Sequence, residues 1–296
     1  MALYAQAYQW RDPGGQLHFS DRPPAQGKAT LLHTTPATGR SDLEVLYRQQ
    51  DFRFNQAQKA ALKQRLMWLQ NYLEDRLGLD LPQQSRLEIY LLADQSAFRQ
   101  WMQARSGNDS RYFDGVFIPG SDAIAVWPWS AQPGDIGQTL LHEGCHRLLA
   151  PVAAAAPLWL HEGLAQYFQT LRLAQGQAVV RAPDGARERL KRWIDEHRLI
   201  SLRKYLALDN RHWQQLAHRQ DNIAYTVAWA TTAFLMSSPK GQKTLRRLLQ
   251  DLDKSGLPPS AARVDALYPG GLTQLDYDFL HWAQGETPPQ TLTLDN

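Results

Sequence analysis

Residues 139–168 decide the fold, and they read TLLHEGCHRLLAPVAAAAPLWLHEGLAQYF. The first part contains His-Glu-x-x-His within a pattern of apolar residues that has helical spacing. Residues four apart on a helix differ by about 40° around its axis, so His142 and His146 point the same way and can bind one metal ion. Glu143 is offset by about 100°, which lets it reach a water at the metal without being a ligand. The pattern therefore predicts two metal ligands and a general base.

A third ligand is expected, because a catalytic zinc ion usually has three protein ligands and one open position. Pro151 predicts that the first helix ends near Ala150, and Pro157 suits the first position of a second helix. His146 would then lie shortly before the end of the first helix, and Glu162 shortly after the start of the second helix. Those offsets, about 6 and 7.5 Å, place both side chains at the same height in an antiparallel pair. Glu162 is the predicted third ligand.

Other residues of this stretch have less suitable positions for binding the metal. His161 is the rival ligand, but it is displaced by about 100° from Glu162 around the helix, so we predict a polar residue at the cleft edge. Cys145 is the only cysteine, and without a second thiol it is predicted to be a small buried filler. Leu149 and Val152 stand where a metzincin has glycine and histidine, which excludes that class.

The H-E-x-x-H motif at 142–146 and the pattern P-x-W-L-x-E-G-L-A-x-Y-F at 157–168 resemble the MA-like, gluzincin-type zinc metallopeptidases. The similarity covers about residues 85–256. It implies one Zn²⁺ per chain, bound by both histidines and Glu162, and a peptide or protein substrate. Many members have an acidic residue four positions after the ligand glutamate, whereas this chain has Gln166. If this position supports a ligand histidine, it is expected to do so here through a neutral amide.

Amide hydrolysis also needs a hydrogen-bond donor for the developing oxyanion. The candidates are Tyr225, His212, His218 and Tyr167. We predict Tyr225 as the second catalytic residue besides Glu143, because residues 221–236 have a helical pattern that can return past the cleft. A tyrosine in the core is the alternative. The predicted strand pair within 115–127 is expected to bind an extended substrate along its edge, as the resemblance implies.

An N-terminal module is predicted ahead of this region. Aromatic and apolar residues alternate with polar ones on both sides of a predicted turn at 12–15, which indicates a β-hairpin. The string from 8 to 24 resembles a short N-terminal domain of unknown function that many Gram-negative envelope proteins carry. Residues 24–41 are rich in Pro, Thr, Gly and Ala, as linkers are. We assign residues 8–34 to the hairpin module, 35–41 to the linker and 42–296 to the metallopeptidase-like domain.

We expect a periplasmic or secreted protein. The N-terminal resemblance implies export, because that domain typically follows a signal peptide. Ala5-Gln6-Ala7 has the small-x-small form that precedes a signal-peptidase cut, but a basic segment and a full apolar segment are missing, so the signal peptide is expected to be truncated. The longest apolar stretch, residues 151–160, is shorter than the roughly 20 residues that span a bilayer, so no integral membrane segment is expected.

The fold class predicted from these patterns is α+β. We expect a small N-terminal hairpin module and then a zincin-like domain, with a short sheet ahead of the active-site helix pair and a mostly helical C-terminal part. The predicted elements ahead of residue 133 are a helix over 55–77 that ends at Gly78, a strand over 87–92, a helix over 96–104 and a hairpin made by 115–118 and 123–127.

The charge pattern does not indicate a nucleic-acid partner. The formal net charge is +3, and the basic residues between 187 and 204 alternate with acidic and apolar residues, as on a solvated helix face. Three classes of function remain open. They are a zinc peptidase, a metal-binding but inactive envelope interaction module, and a non-peptidase zinc amide hydrolase that acts on cell-wall material. The intact Glu143 favours the enzymes over the inactive module.

Overall fold

The computed structural model describes most of the chain, in ranges separated by short gaps. These ranges are 6–11, 17–20, 30–33, 42–49, 54–82, 84–107, 114–120, 122–129, 133–174, 177–219, 221–255, 260–286 and 288–294. The chain divides into two compact units, Met1–Arg40 and Ser41–Asn296. The turn predicted at 12–15 and the linker predicted at 35–41 lie outside the described residues.

The first unit contains a three-stranded antiparallel sheet. Its strands are β1 (Gln6–Arg11), β2 (Leu17–Ser20) and β3 (Thr30–His33), in the order β2-β1-β3. The predicted hairpin is confirmed, with Tyr8 opposite Ser20. The interpretation of the whole stretch 24–41 as a linker is wrong, because it contains β3. This strand pairs with β1 and places Tyr8 opposite Leu31. A hairpin alone is marginal in water, and a third strand adds the pairing that it lacks.

The second unit begins with a four-stranded sheet and two helices. In chain order these are β4 (Asp42–Gln49), α1 (Gln56–Asp75), β5 (Gln84–Leu91), α2 (Gln95–Ser106), β6 (Gly115–Ile118) and β7 (Ala123–Val126). The sheet order is β4-β5-β7-β6, so β6 is an edge strand. The predicted helices, the strand and the second hairpin are confirmed, whereas β4 was not predicted. It pairs with β5 in parallel and buries Leu43.

The rest of the second unit is mostly helical, which confirms the α+β class. Its helices are α3 (Pro133–Ala153), α4 (Leu158–Phe168), α5 (Ala186–Asp195), α6 (Leu202–Leu206), α7 (Asn210–Ala217), α8 (Ile223–Met236), α9 (Pro239–Ser255), α10 (Ala261–Leu267) and α11 (Gly271–Gln284). A small antiparallel sheet joins β8 (Arg172–Ala174), β9 (Gln177–Val180) and β10 (Gln290–Leu292). Within the described ranges, no helix combines the length and the apolar character that crossing a bilayer requires.

Helix α3 continues past the proline that was predicted to end it. Pro151 lies inside the helix, which runs to Ala153 rather than stopping near Ala150. Pro151 only disfavours helical backbone in the preceding residue, and burial of the last turn, where Ala153 is 1% exposed, outweighs that preference. Pro157 is the N-cap of α4 instead of its first helical residue, and its carbonyl accepts from the backbone N–H of His161.

Two glycines set the distance between the site helices and their neighbours. A Cβ atom on Gly163 of α4 would lie 2.7 Å from the carbonyl oxygen of Ala228 and 2.5 Å from Thr232 Oγ1, both in α8. A Cβ atom on Gly144 of α3 would collide with the side chain of Leu66 in α1. Each glycine follows a glutamate of the predicted site, so these close helix crossings fix the backbone on which those glutamates stand.

An ion pair connects the edge hairpin to α3. Arg147 is buried, and its Nε atom lies 3.2 Å from Oδ1 of Asp122 in the β6–β7 turn. The same guanidinium donates to the carbonyl oxygen of Arg86 in β5. A buried arginine needs such partners, because an unpaired buried charge is strongly destabilising. The hairpin is therefore held against the helix that carries the H-E-x-x-H motif.

Candidate metal centre

The structure brings His142, His146 and Glu162 together as a group that could hold a metal ion. The Nε2 atoms of the two histidines are 3.1 Å apart. Oε2 of Glu162 lies 3.4 Å from Nε2 of His142 and 3.7 Å from Nε2 of His146. Two successive turns of α3 and one turn of α4 therefore present three ligand atoms to one point, and we call this group the metal cluster.

The spacing of the metal cluster fits tetrahedral zinc. Zinc binds histidine nitrogen and carboxylate oxygen at about 2.0–2.2 Å, so two ligands at a tetrahedral angle are separated by about 3.3–3.6 Å. The three observed separations, 3.1, 3.4 and 3.7 Å, lie on both sides of that value. Two histidines and one carboxylate are also a donor set found in catalytic zinc sites with an open fourth position.

Glu162 carries a buried negative charge. Burial alone would raise the pKa of its carboxyl, but the neighbouring His146 and His142 imidazoles outweigh burial and lower it below its ordinary value. Its Oε2 atom is buried and has no hydrogen-bond partner among the described residues. A buried carboxylate oxygen without a donor is costly, and a cation bound there would satisfy it.

His146 is positioned by a second histidine. Its Nδ1 atom lies 3.1 Å from Nδ1 of His161, and Nε2 of His161 lies 3.1 Å from the carbonyl oxygen of Ala153. A carbonyl can only accept, so the proton of His161 is assigned to Nε2 and its Nδ1 becomes an acceptor. His146 must then donate from Nδ1, which leaves the lone pair of its Nε2 facing the metal cluster.

The sequence predicted His161 as a polar residue at the cleft edge. The structure instead places it against the ring of His146. Burial, followed by repulsion from His146 in its protonated form, lowers the pKa of His161 to about 4. The ring is neutral at physiological pH, which the acceptor role of Nδ1 requires. The angular argument that separated His161 from Glu162 remains consistent with the structure, because His161 contacts the far side of the His146 ring and not the metal cluster.

His142 lacks the support that His146 has. Its Nδ1 atom is buried and has no hydrogen-bond partner within the described ranges. The expectation that Gln166 supports a ligand histidine is not met, because Oε1 of Gln166 accepts from Nε2 of Gln169. Helix α4 ends at Phe168, and Gln169 follows as its C-cap, within reach of the Gln166 amide.

Glu143 is fixed beside the metal cluster by the edge strand. Its side chain is buried, and its Oε2 atom accepts a hydrogen bond of 2.8 Å from the backbone N–H of Phe117 in β6. Because this N–H donates to Glu143 of α3 and not to a residue of β7, and β6 is the edge strand, it points toward the open edge of the sheet. Its Oε1 atom has no hydrogen-bond partner among the described residues. The carboxylate is thus oriented by one oxygen, and the other can accept a proton.

Tyr225 lies on α8 within electrostatic range of the metal cluster. It is half-buried, and its ring packs edge-on against Trp213 with 5.2 Å between ring centroids. Burial raises the pKa of the Tyr225 hydroxyl, and the negative charges of Glu162 and Glu143 raise it further. The phenol therefore stays protonated and can donate a hydrogen bond. Its role at an oxyanion remains a prediction.

The other candidate oxyanion donors lie in less suitable places. His212 is exposed, and its Nδ1 atom lies 2.8 Å from Oδ1 of Asp209, the N-cap of α7. His218 is exposed at the end of the same helix. Tyr167 is buried, and its hydroxyl donates to the side chain of Gln290. Tyr225 is therefore the best-placed donor of the four.

Cys145 is a core residue. It is fully buried, and burial raises the pKa of its thiol, as do the nearby charges of Glu162 and Glu143. A thiol in this state is a poor nucleophile, because the thiolate is the reactive form.

Comparisons with known families cover the site without assigning it an activity. Residues 136–256, which include the whole metal cluster, match the family described as Protein of unknown function (DUF1570). Residues 1–40 match the family described as Domain of unknown function (DUF4124). No curated protein matches the chain.

Proposed function

We propose that this chain is a zinc-dependent hydrolase that cleaves peptide bonds. The observation that carries the proposal is the metal cluster itself, in which two histidine nitrogens and one carboxylate oxygen lie 3.1 to 3.7 Å apart. Oε2 of Glu162 is buried there and has no hydrogen-bond donor in the described part of the chain. His142, His146 and Glu162 would bind the ion. When bound, zinc supplies a Lewis acid that polarises a carbonyl and lowers the pKa of water from about 15.7 to about 7.

Glu143 is the proposed general base. Oε2 is held by the N–H of Phe117, so Oε1 is the oxygen that accepts a proton from the attacking water. The same oxygen can return that proton to the leaving amine, which otherwise departs as a poor leaving group. A carboxylate whose orientation is already fixed requires little reorganisation during the reaction, so its position favours catalysis over a passive structural role.

The substrate is proposed to bind as an extended peptide along β6. The N–H and the carbonyl of one strand residue point to the same edge, so the carbonyl of Phe117 faces the same open side of the sheet as the N–H that bonds to Glu143. An extended peptide can add to such an edge through main-chain hydrogen bonds. Because the N–H of Phe117 bonds to Glu143, this edge leads directly to the proposed base.

Zinc content and activity of matched variants test the proposal. We expect about one zinc per wild-type chain and a loss of affinity of more than about 100-fold in His146→Ala and in Glu162→Ala, since even outer partners of a ligand contribute about 10–100-fold. Glu143→Gln should keep its zinc and lose about 10²–10⁴ in turnover, because it removes a base and not a ligand. His281→Ala and Glu188→Ala, both exposed, are the controls.

The outcomes separate the three classes of function. Wild-type protein without zinc, or full zinc retention in Glu162→Ala, contradicts the metal assignment. Zinc binding without hydrolysis of either a peptide library or cell-wall amides identifies an inactive module. Hydrolysis of cell-wall amides but not of peptides identifies the non-peptidase enzyme. Export to the cell envelope is also a proposal. It is supported by the match of residues 1–40 to DUF4124, because the sequence predicted a short N-terminal domain of unknown function there.

A further inference from the structure

A cavity of about 260 Å³ lies in the second unit, away from the metal cluster. It is bounded by the first half of α1, the start of α3, the turn between α4 and β8, and the residue after β9. In sequence, the lining residues nearest to the ligands are Gln138, one turn before His142 on α3, and Gln169, the C-cap of α4, seven residues after Glu162. At about 1.5 Å per residue, it is about 6–10 Å along the helix axes from the ligands.

The lining of this cavity is basic. Three arginines, Arg65, Arg172 and Arg181, face it together with three glutamines, and no acidic residue lines it in the described part of the chain. None of the three guanidinium groups forms an ion pair with a described residue. We call this site the basic cavity.

The β8–β9 ladder places two of these arginines close together. Arg172 stands opposite Val179, and the hydroxyl of Thr170 bonds to both the backbone N–H and the backbone carbonyl of Arg181. Arg172 and Arg181 are therefore diagonal neighbours on one face of the ladder, where side chains lie about 7–8 Å apart. Both positive charges are therefore presented to the same region of the cavity lining.

Arg65 of α1 brings the third positive charge to the basic cavity. Its Nε atom donates to the carbonyl of Ala61, and its terminal nitrogens lie over Gly137, 3.4 Å or more from the place that a Cβ atom would take. Burial lowers the pKa of Arg65, and the positive charge of Arg172 lowers it further. The two guanidinium groups are thus close enough to repel each other, and among the described residues neither has an acidic partner.

We propose that the basic cavity binds a small ligand through a phosphate or a paired carboxylate group, held by Arg65, Arg172 and Arg181. The guanidinium fork matches both anions with two parallel N–H donors, which a surface lysine does not offer. The volume is just below the roughly 300–1,000 Å³ of sites for drug-sized molecules, so it suits a compact anion or one charged group of a larger ligand. This site does not depend on the proposed metal chemistry.

Calorimetric titration of the full chain with inorganic phosphate and with succinate, at constant ionic strength, tests the proposal. We expect saturable binding of at least one anion, with a dissociation constant between about micromolar and millimolar. Arg172→Gln and Arg181→Gln should each weaken it at least about tenfold, because each removes a charge-assisted hydrogen bond. Arg247→Gln, an exposed arginine of α9, makes the same change in charge and should bind as wild type does.

The variants also locate the bound anion. Both test arginines are exposed, so their replacement leaves the core intact, and neither belongs to the metal cluster. An anion bound at the metal would therefore titrate equally in wild type and in Arg172→Gln, and that result overturns the proposal, as does the absence of saturable binding of both anions. Binding of phosphate alone identifies a phosphate site, and binding of succinate alone identifies a carboxylate site.

Discussion

At the scale of single residues, the two histidines of the metal cluster differ in how they are held. His146 donates to His161, which in turn donates to the carbonyl of Ala153. His142 has no partner on its Nδ1 atom among the described residues. A ligand imidazole whose far nitrogen is hydrogen-bonded has a fixed tautomer and ring orientation. His146 is therefore the pre-oriented ligand of the two histidines.

Replacement of His161 measures this support. His161→Phe keeps a ring of similar size but removes the acceptor for His146 and the donor to Ala153. We expect zinc affinity to fall about 10–100-fold, as for other partners of ligand histidines. His161→Asn, whose amide oxygen can take the place of Nδ1, should recover part of the loss. Zinc affinity is measured by chelator competition, with the exposed His281→Phe as the control.

The readout must separate positioning from general damage to the fold. The ¹⁵N chemical shifts of His146 in metal-free protein report its tautomer, and we expect the proton on Nδ1 in wild type and a mixture in His161→Phe. Equal zinc affinity in wild type and in His161→Phe would show that the histidine pair does not hold the metal ligand.

Tyr225→Phe removes a hydroxyl within electrostatic range of Glu162 and Glu143 and changes little volume. If the phenol donates to the oxyanion, turnover should fall by about 10²–10³ while KM and zinc content stay close to wild type, because the bond strengthens only as charge develops. Steady-state kinetics on a cleaved peptide is the measurement. Tyr277→Phe, an exposed tyrosine of α11, is the control. Full activity in Tyr225→Phe would reject this role.

At the scale of secondary-structure elements, the site depends on how closely α4 packs on α8. Gly163 follows Glu162 directly, and any side chain there meets the backbone carbonyl of Ala228. A backbone atom cannot move aside as a flexible side chain can. Gly163→Ala should therefore destabilise the protein by about 1–3 kcal/mol, less the gain of up to about 1 kcal/mol from the better helix propensity of alanine.

Denaturant unfolding and zinc affinity measure this effect together. We expect Gly163→Ala to lower both, because shifting α4 also moves Glu162 away from the histidines of α3. Gly285→Ala is the matched control, since its Cβ atom would meet only ordinary contacts, the nearest at 3.4 Å. A Gly163→Ala protein as stable as the control would show that α4 can move on α8 without cost.

The helices and strands also show which sequence signals were sufficient to predict secondary structure. Helical periodicity and the spacing of His142 and His146 predicted α3 and its ligand face, because residues four apart share a face in any helix. The predicted end of α3 was wrong. The free-energy cost that Pro151 imposes on helical backbone in the preceding residue is smaller than the stabilisation from packing of the last turn. Strand β3 was not recognised, since a four-residue strand within a Pro- and Gly-rich stretch has too few alternating positions to show its period.

Contacts between segments that are distant in the sequence could not be predicted from it. The hydrogen bond from Phe117 to Glu143 joins residues 26 positions apart and uses a backbone N–H, which every residue except proline has. Likewise, the bond between His161 and His146 depends on the distance and rotation between α3 and α4. The only available signal was a third histidine beside the predicted ligand Glu162, and periodicity alone does not show which side of a neighbouring ring it contacts.

At the scale of the whole molecule, the division into Met1–Arg40 and Ser41–Asn296 predicts that metal binding belongs to the second unit alone. All three members of the metal cluster, the edge strand that orients Glu143 and the helices behind them lie within residues 41–296. The described strands of the first unit form an antiparallel sheet of their own. A chain of residues 41–296 should therefore fold and bind about one zinc, as the site requires.

Zinc stoichiometry and thermal unfolding of the full and the shortened chain, each with and without zinc, test this division. We expect the same zinc affinity and the same rise of Tm on zinc binding in both chains, because a ligand that binds only the folded state stabilises it in proportion to its affinity. Glu162→Ala in the shortened chain is the control and should lose the rise. A shortened chain that is unfolded or free of zinc would show that the first unit takes part in the fold that holds the metal cluster.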